Sequence, residues 1–189
     1  MKAENRREAS QIEKYDLIAA EKGGRGSKWL PDATFPTGES IELKTGQRST
    51  LKTGNHGAGQ FSTTRNYTLP CFQNNAYADD IHWVVTYYDK DKNGEFYEHW
   101  YCAPRWLDGW QEVQRDKLLN GKSTRLKDLL DEASDAELRD VLIKQIHLND
   151  PKIPSSYIEN NPLCIQFDGT PDGLLAAKEK LEIGVDDES

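Results

Sequence analysis

An α/β domain with a central mixed β-sheet flanked by helices is what this chain predicts, and three features carry the prediction. The run IHWVVTYYD (81–89) is β-branched and aromatic, the composition of a central strand. Asn93-Gly94, within KDKNGEFYEHWYC, marks a hairpin turn leading into a paired strand. Segments with helical spacing lie on both sides of this pair, at 7–21 and at 106–148.

Taken in order, Arg7 to Glu21 reads as a helix with Ile12, Tyr15 and Ile18 or Ala19 on one face, stopped by Gly23-Gly24. A turn-rich segment follows, then a strand over Ser40–Thr45. Side chains two apart share a face of a strand, so Glu42 and Lys44 project together and Ile41 and Leu43 project oppositely. A Gly/Thr/Ser-rich stretch runs to Thr68. Beyond the hairpin, Trp106–Leu119 and Arg125–Leu148 read as helical, the second re-capped at Ser134 with Glu137 completing a capping box. PLCIQF is a short late strand, and the acidic tail 178–189 is expected to be disordered. There are no internal repeats and no dividing linker, so residues 1–189 read as one domain whose first 24 residues form an N-terminal helix.

The 189 residues suffice for a real core. No run approaches the roughly 20 apolar residues of a membrane span, and MKAENRREASQ lacks the apolar stretch of a signal peptide. Cys71, Cys102 and Cys164 are widely spaced, without CxxC or a nearby His pair, and read as reduced core thiols of a cytoplasmic protein. The net charge of −8 conceals a local asymmetry. From Leu43 to Ala78 there is no Asp or Glu, while Lys44, Arg48, Lys52, His56 and Arg65 all fall there. Such a stretch predicts a local positive surface suited to phosphate, or else a polar loop that lacks acids. Asp89-Lys-Asp-Lys-Asn93-Gly94 imitates half of a calcium loop, but its twelfth position is Trp100, so it reads as a charged hairpin tip.

The chemistry concentrates in PDATFPTGESIELK (31–44). Magnesium bound for phosphodiester hydrolysis takes hard oxygen ligands, few of them from protein. Asp32, Glu42 and the carbonyl of Leu43 would supply those ligands, and the ion would lower the pKa of a bound water. Lys44, on the face of Glu42, would hold that water and stabilise charge developing on phosphorus. The alternative is a surface ion pair, since acid-x-Lys triplets are common in a charged chain. Only Glu42-Leu-Lys44 and Asp150-Pro-Lys152 fit the triplet, and the proline of the second disfavours a central strand.

Pro31-Asp32 followed by Glu42-Leu43-Lys44 resembles the PD-(D/E)xK motif of type II restriction endonucleases, and within them the PvuII-like type. Ile12–Gly23, with Tyr15, is similar to the first helix of that type and its terminating glycine. Phe61-Ser62-Thr63 is similar to its base-contacting loop, and Asn149-Asp150-Pro151-Lys152-Ile153-Pro154 to its C-terminal recognition segment. The resemblance covers most of residues 12–158. It implies a restriction-endonuclease-like core, catalysis by Asp32, Glu42 and Lys44, one or two Mg2+ per site, and a homodimer on double-stranded DNA. Departures are Thr64-Arg65-Asn66 in place of a histidine run, Asp150 in place of an asparagine, and a subunit-joining segment shortened to GGRGSKWL. They detach the target sequence and the dimer contact from the resemblance. The helix around Tyr15 and the Gly23–Trp29 turn are the expected contact.

For DNA readout, Arg65 suits a guanine edge, Asn149 adenine and Asp150 cytosine N4, while Ser62 and Thr63 suit short bonds to bases or phosphates. Thr64, Asn66 and Lys152 complete this group. Asn149-Asp150 also reads as a helix-ending turn before Pro151. Tyr77 resembles a tyrosine near that type's scissile phosphate, with core packing as the alternative, and Glu21 resembles an acid facing the minor groove. The four histidines form no ligand spacing. The leading expectation is a Mg2+-dependent type II endonuclease cutting a short palindrome. The alternatives are a nicking or junction-resolving nuclease on the same core, or a catalytically inactive DNA-binding module.

Overall fold

The computed structural model describes residues 3–20, 31–49, 59–62, 80–89, 92–110 and 152–186. The chain divides into two compact units, one of Met1–Phe61, Asp80–Trp106 and Pro154–Ser189, the other of Ser62–Asp79 and Leu107–Ile153. The described elements are α1 (Ala3–Lys14), β1 (Ile18–Ala19), β2 (Ala33–Thr34), β3 (Ser40–Gln47), β4 (Gln60–Ser62), β5 (His82–Tyr88), β6 (Phe96–Cys102), β7 (Lys152–Pro154), α2 (Ser155–Glu159), β8 (Cys164–Phe167) and α3 (Pro171–Asp186). Within the second unit the described residues belong to the ends of β4 and β7 and to the start of a helix at Asp108.

The larger unit is built on strands in the order β1-β2-β3-β5-β6-β8, with β4 added beside β3. β3 and β5 run parallel from Ile41↔His82 to Gln47↔Tyr88, and the other neighbours along this order are antiparallel, so the sheet is mixed as expected. β5 is buried at six successive positions, the signature of a strand covered on both faces. The hairpin before β6 forms where expected, with Asn93 and Gly94 both at positive φ (60° and 71°) and the Gly94 amide donating to the Asp89 carbonyl. Asp89, at the head of the turn, is itself buried.

The first helix departs from expectation. α1 ends at Lys14, well before Gly23-Gly24. Asp16 adopts φ 54°, its amide donates to the Glu13 carbonyl (3.3 Å), and the Leu17 amide reaches back to the Ile12 carbonyl (2.9 Å). This double closure is a Schellman cap with aspartate where glycine is usual. Residues 18–19, expected on the helix, instead pair with β2.

Register and alternation sort the side chains. Ile41, Leu43, Val84 and Tyr101 share one face and join Tyr15, Leu17, Phe35, Leu174 and Ala177 in the core. Glu42 and Lys44 take the opposite face, as their alternation predicts. Tyr15, within the helix segment expected to join subunits, is 2% exposed and faces the core.

The C-terminal tail is a second correction. Residues 171–186 form a helix, so 178–186, expected to be disordered, continue it. Thr170 caps it, its hydroxyl oxygen accepting the Gly173 amide (3.0 Å), and Pro171 occupies the first turn, where its missing N–H costs nothing. Leu174 and Ala177 are buried, and Lys178 pairs with Glu39 (3.2 Å) across to the β2–β3 turn and with Glu182 (2.9 Å). PLCIQF forms β8, as expected. The helix expected from Trp106 begins at Asp108, and the remainder of both predicted helices, with Ser134 and Glu137, lies outside the described residues.

Candidate active site

Asp32 precedes β2, where its amide donates to the Ile41 carbonyl (3.1 Å) and its carbonyl accepts the Ala20 amide (3.1 Å). Its carboxylate turns onto β3, and Oδ2 accepts the Leu43 amide at 2.9 Å. One residue to either side, Glu42 and Lys44 meet on their shared face with Oε1 and Nζ 3.1 Å apart. The three expected catalytic residues therefore converge on the three-residue span Glu42–Lys44 of β3, and Leu43, expected as a carbonyl ligand, also serves Asp32 as an amide donor.

Burial makes this cluster more than a surface ion pair. Glu42 is 5% exposed. Burial pushes its carboxyl up to about 7, Lys44 opposes the shift, and the charges of Asp32 and, more weakly, Glu8 reinforce it. A carboxyl poised near neutrality between a second carboxylate and an ammonium is the kind of group found at functional sites. Among the described residues no set of three His, Cys, Asp or Glu side chains is placed to hold a metal ion. Any cation here would take two carboxylates and fill its remaining positions from elsewhere.

A buried polar network that the sequence reading missed stands behind β3. Gln11 Nε2 donates to the Lys44 carbonyl (3.1 Å) and to Thr86 Oγ1 (2.9 Å). Tyr15 Oη lies 2.6 Å from Thr86 Oγ1 and 2.6 Å from His99 Nδ1. Burial, with help from the Lys14 charge, pushes His99 down to about 4, so the ring is neutral near pH 7. Gly169, at φ 80°, closes against it; a Cβ there would sit 2.5 Å from His99 Nε2. Gln11 and Tyr15 are one helical turn apart, so a polar pair at i and i+4 was the available signal. His82 is likewise placed by a hydrogen bond, Nδ1 to Tyr101 Oη at 2.6 Å.

Arg48, expected on the basic surface, turns inward. It is 7% exposed, and its Nη1 lies 2.7 Å from Glu98 and 2.8 Å from Glu159. Its guanidinium also lies over the Tyr87 ring. This cation ties β3 to β6 and α2 and is withdrawn from any phosphate-facing role. Lys44, by contrast, keeps its ammonium beside Glu42 in the candidate site.

Of the expected DNA contacts, Ser62 falls in β4 and Lys152 in β7, the latter exposed. Thr63, Thr64, Arg65, Asn66, Asn149 and Asp150 lie outside the described residues, as do Glu21, Tyr77, Lys52 and His56. No helix among the described residues is long and apolar enough to cross a membrane. No protein-family model matches the chain, and no curated protein matches its sequence.

Proposed function

We propose that this protein is a Mg2+-dependent type II restriction endonuclease with a restriction-endonuclease-like core, hydrolysing double-stranded DNA at a short palindromic site as a homodimer. The observation that carries the reading is the convergence on β3: Asp32 bound to the Leu43 amide (2.9 Å) and Lys44 against a buried Glu42 (3.1 Å). Residues ten positions apart in sequence, drawn from a turn and a strand, form one carboxylate–carboxylate–lysine group. The sequence resemblance of 31–44 to the PD-(D/E)xK motif gives that group its chemical meaning.

The donor set fits magnesium. The carboxylates of a half-buried Asp32 and a buried Glu42, with the Leu43 carbonyl as a third oxygen, would suit an ion that keeps much of its shell for water and phosphate. The raised Glu42 carboxyl agrees: burial, and to a lesser degree the Asp32 charge, disfavours its ionised form, and a bound divalent cation would offset both. Bound there, the ion would supply Lewis-acid activation of water and neutralise phosphate charge. The chain's own residues do the rest. Asp32 is fixed by its bond to β3. Lys44, its backbone carbonyl held by Gln11, directs its ammonium to the attacking water or to the non-bridging phosphate oxygens. Glu42 holds Lys44 in that direction.

Incubation with a plasmid of known sequence and Mg2+, followed by mapping of the ends, tests this. Discrete double-strand cuts at one palindromic sequence are expected. Nicked circles alone, or cutting only at branched DNA, would move the assignment to a nicking or junction-resolving nuclease on the same core. Specific binding without cleavage would make it an inactive DNA-binding module.

A further inference from the structure

Cys102 and Cys164 stand directly opposite one another on β6 and β8. One step further along the same register, the Ala103 amide donates to the Leu163 carbonyl at 2.8 Å. Hydrogen-bonded and non-hydrogen-bonded pairs alternate along an antiparallel ladder, so the cysteines occupy a non-hydrogen-bonded pair, the closer kind, with Cα atoms about 4.5 Å apart. That separation is at the short end of the range a disulfide spans, about 4.4–6.8 Å. Their side chains share a face of the sheet. Both are thiols; Cys102 is sealed inside while Cys164 is half-buried.

We propose that Cys102 and Cys164 form a cross-strand dithiol that closes to a disulfide when a small disulfide oxidant reaches Cys164. The Cys164 thiolate attacks one sulfur of the oxidant, whose S–S bond breaks, giving a mixed disulfide and one released thiol. The Cys102 thiolate then attacks the Cys164 sulfur and displaces the second thiol. Two protein thiols are oxidised, one oxidant disulfide is reduced to two thiols, and the protons lost by the cysteines leave with them. Burial and the neighbouring Cys164 hold Cys102 protonated, so the second step is the slow one and quickens at alkaline pH. Once closed it ties residues 103–163 into a covalent loop and fixes β8 on β6. The inference is independent of any nuclease activity.

The full chain, incubated with oxidised glutathione at mildly alkaline pH, denatured and alkylated, tests it by mass and peptide mapping. The expected product is lighter than the reduced protein by two hydrogens, carries a Cys102–Cys164 cross-link and no glutathione, leaves Cys71 alkylated, melts at a higher temperature, and reverts with dithiothreitol. A Cys164 that retains glutathione, a link made to Cys71, or full alkylation at Cys102 and Cys164 overturns it. So does a Cys164→Ser variant that still loses two hydrogens.

Discussion

The Lys44 ammonium stands 3.1 Å from a Glu42 carboxyl that is almost wholly buried, on a strand whose next residue toward Asp32 is locked by a 2.9 Å hydrogen bond. Neither partner is on open surface, so the pair costs desolvation that a bland ion pair would avoid. Lys44→Ala should therefore abolish cleavage, lowering the rate about 10²-fold or more, while specific DNA binding persists. Single-turnover cleavage beside a gel-shift titration checks it. Near-normal turnover in Mg2+ would remove Lys44 from the chemistry.

Glu42 makes the metal-free protein sensitive to pH. Its carboxyl is raised from 4.5 to about 7, so between those values the folded state holds a proton that the unfolded chain has released. Stability from this group is thus present at low pH and is lost as pH rises through that window, by about 3 kcal/mol at most. Thermal melts of wild type and Glu42→Gln from pH 4.5 to 8 should diverge, the wild type losing relative stability as pH rises. Added Mg2+ should flatten the wild-type slope. Parallel melting profiles without metal would show that Glu42 is not raised.

Much of this site was legible because strand alternation is strictly local: Glu42-Leu-Lys44 could only share a face once Ile41 and Leu43 were buried. Asn93-Gly94 was legible for the same reason, a turn chemistry confined to two residues. The end of α1 was not, because Asp16 takes the left-handed cap that glycine normally signals, while Gly23-Gly24 offered a louder stop. The cap of α3 was written in Thr170-Pro171, but the acidic composition from 178 onward does not show that those residues extend a helix seated by the buried Leu174 and Ala177. Arg48 was illegible in principle. Its partners Glu98 and Glu159 come from distant segments, and no local pattern says that a cation in an acid-free stretch will be drawn inside.

Asp32 separates a structural from a catalytic role. Its Oδ2 accepts the Leu43 amide, and an amide oxygen can do the same without charge. Asp32→Asn should melt within about 1 kcal/mol of wild type, since the hydrogen bond is kept, yet lose Mg2+-dependent cleavage. In the wild type, Ca2+ should support binding without cutting, because its larger and looser shell positions water poorly. Cleavage in Ca2+ alone or in EDTA would contradict the proposed chemistry.

Base reading and phosphate contact should be separable by salt. Arg65→Ala is expected to weaken specific binding by about 1–3 kcal/mol per half-site and to relax specificity. Lys52→Ala should weaken specific and scrambled duplexes alike and lower the salt slope. Binding isotherms at several salt concentrations distinguish them, and identical behaviour would dismiss the assignment of Arg65 to a base.

Arg48 is predicted to hold the fold together and not to touch DNA. Its side chain is 9% exposed and that of Glu98 10%, with 2.7 Å between them, so removing the cation strands a carboxylate in the interior. Glu159, 39% exposed, can return to water and should matter little. Arg48→Met keeps an unbranched stem beside Tyr87 but deletes the charge, and should destabilise the protein by about 3–5 kcal/mol, the usual cost of breaking a buried pair from one side. Pairing it with Glu98→Leu removes the stranded carboxylate, so the double variant should recover most of the loss, and the cycle should give a coupling well above the scatter of independent sites, about 0.5 kcal/mol. Urea unfolding of the four proteins measures this. Additive losses, or an Arg48→Met variant that keeps full stability while losing DNA affinity, would return Arg48 to the surface role that its sequence neighbourhood suggested.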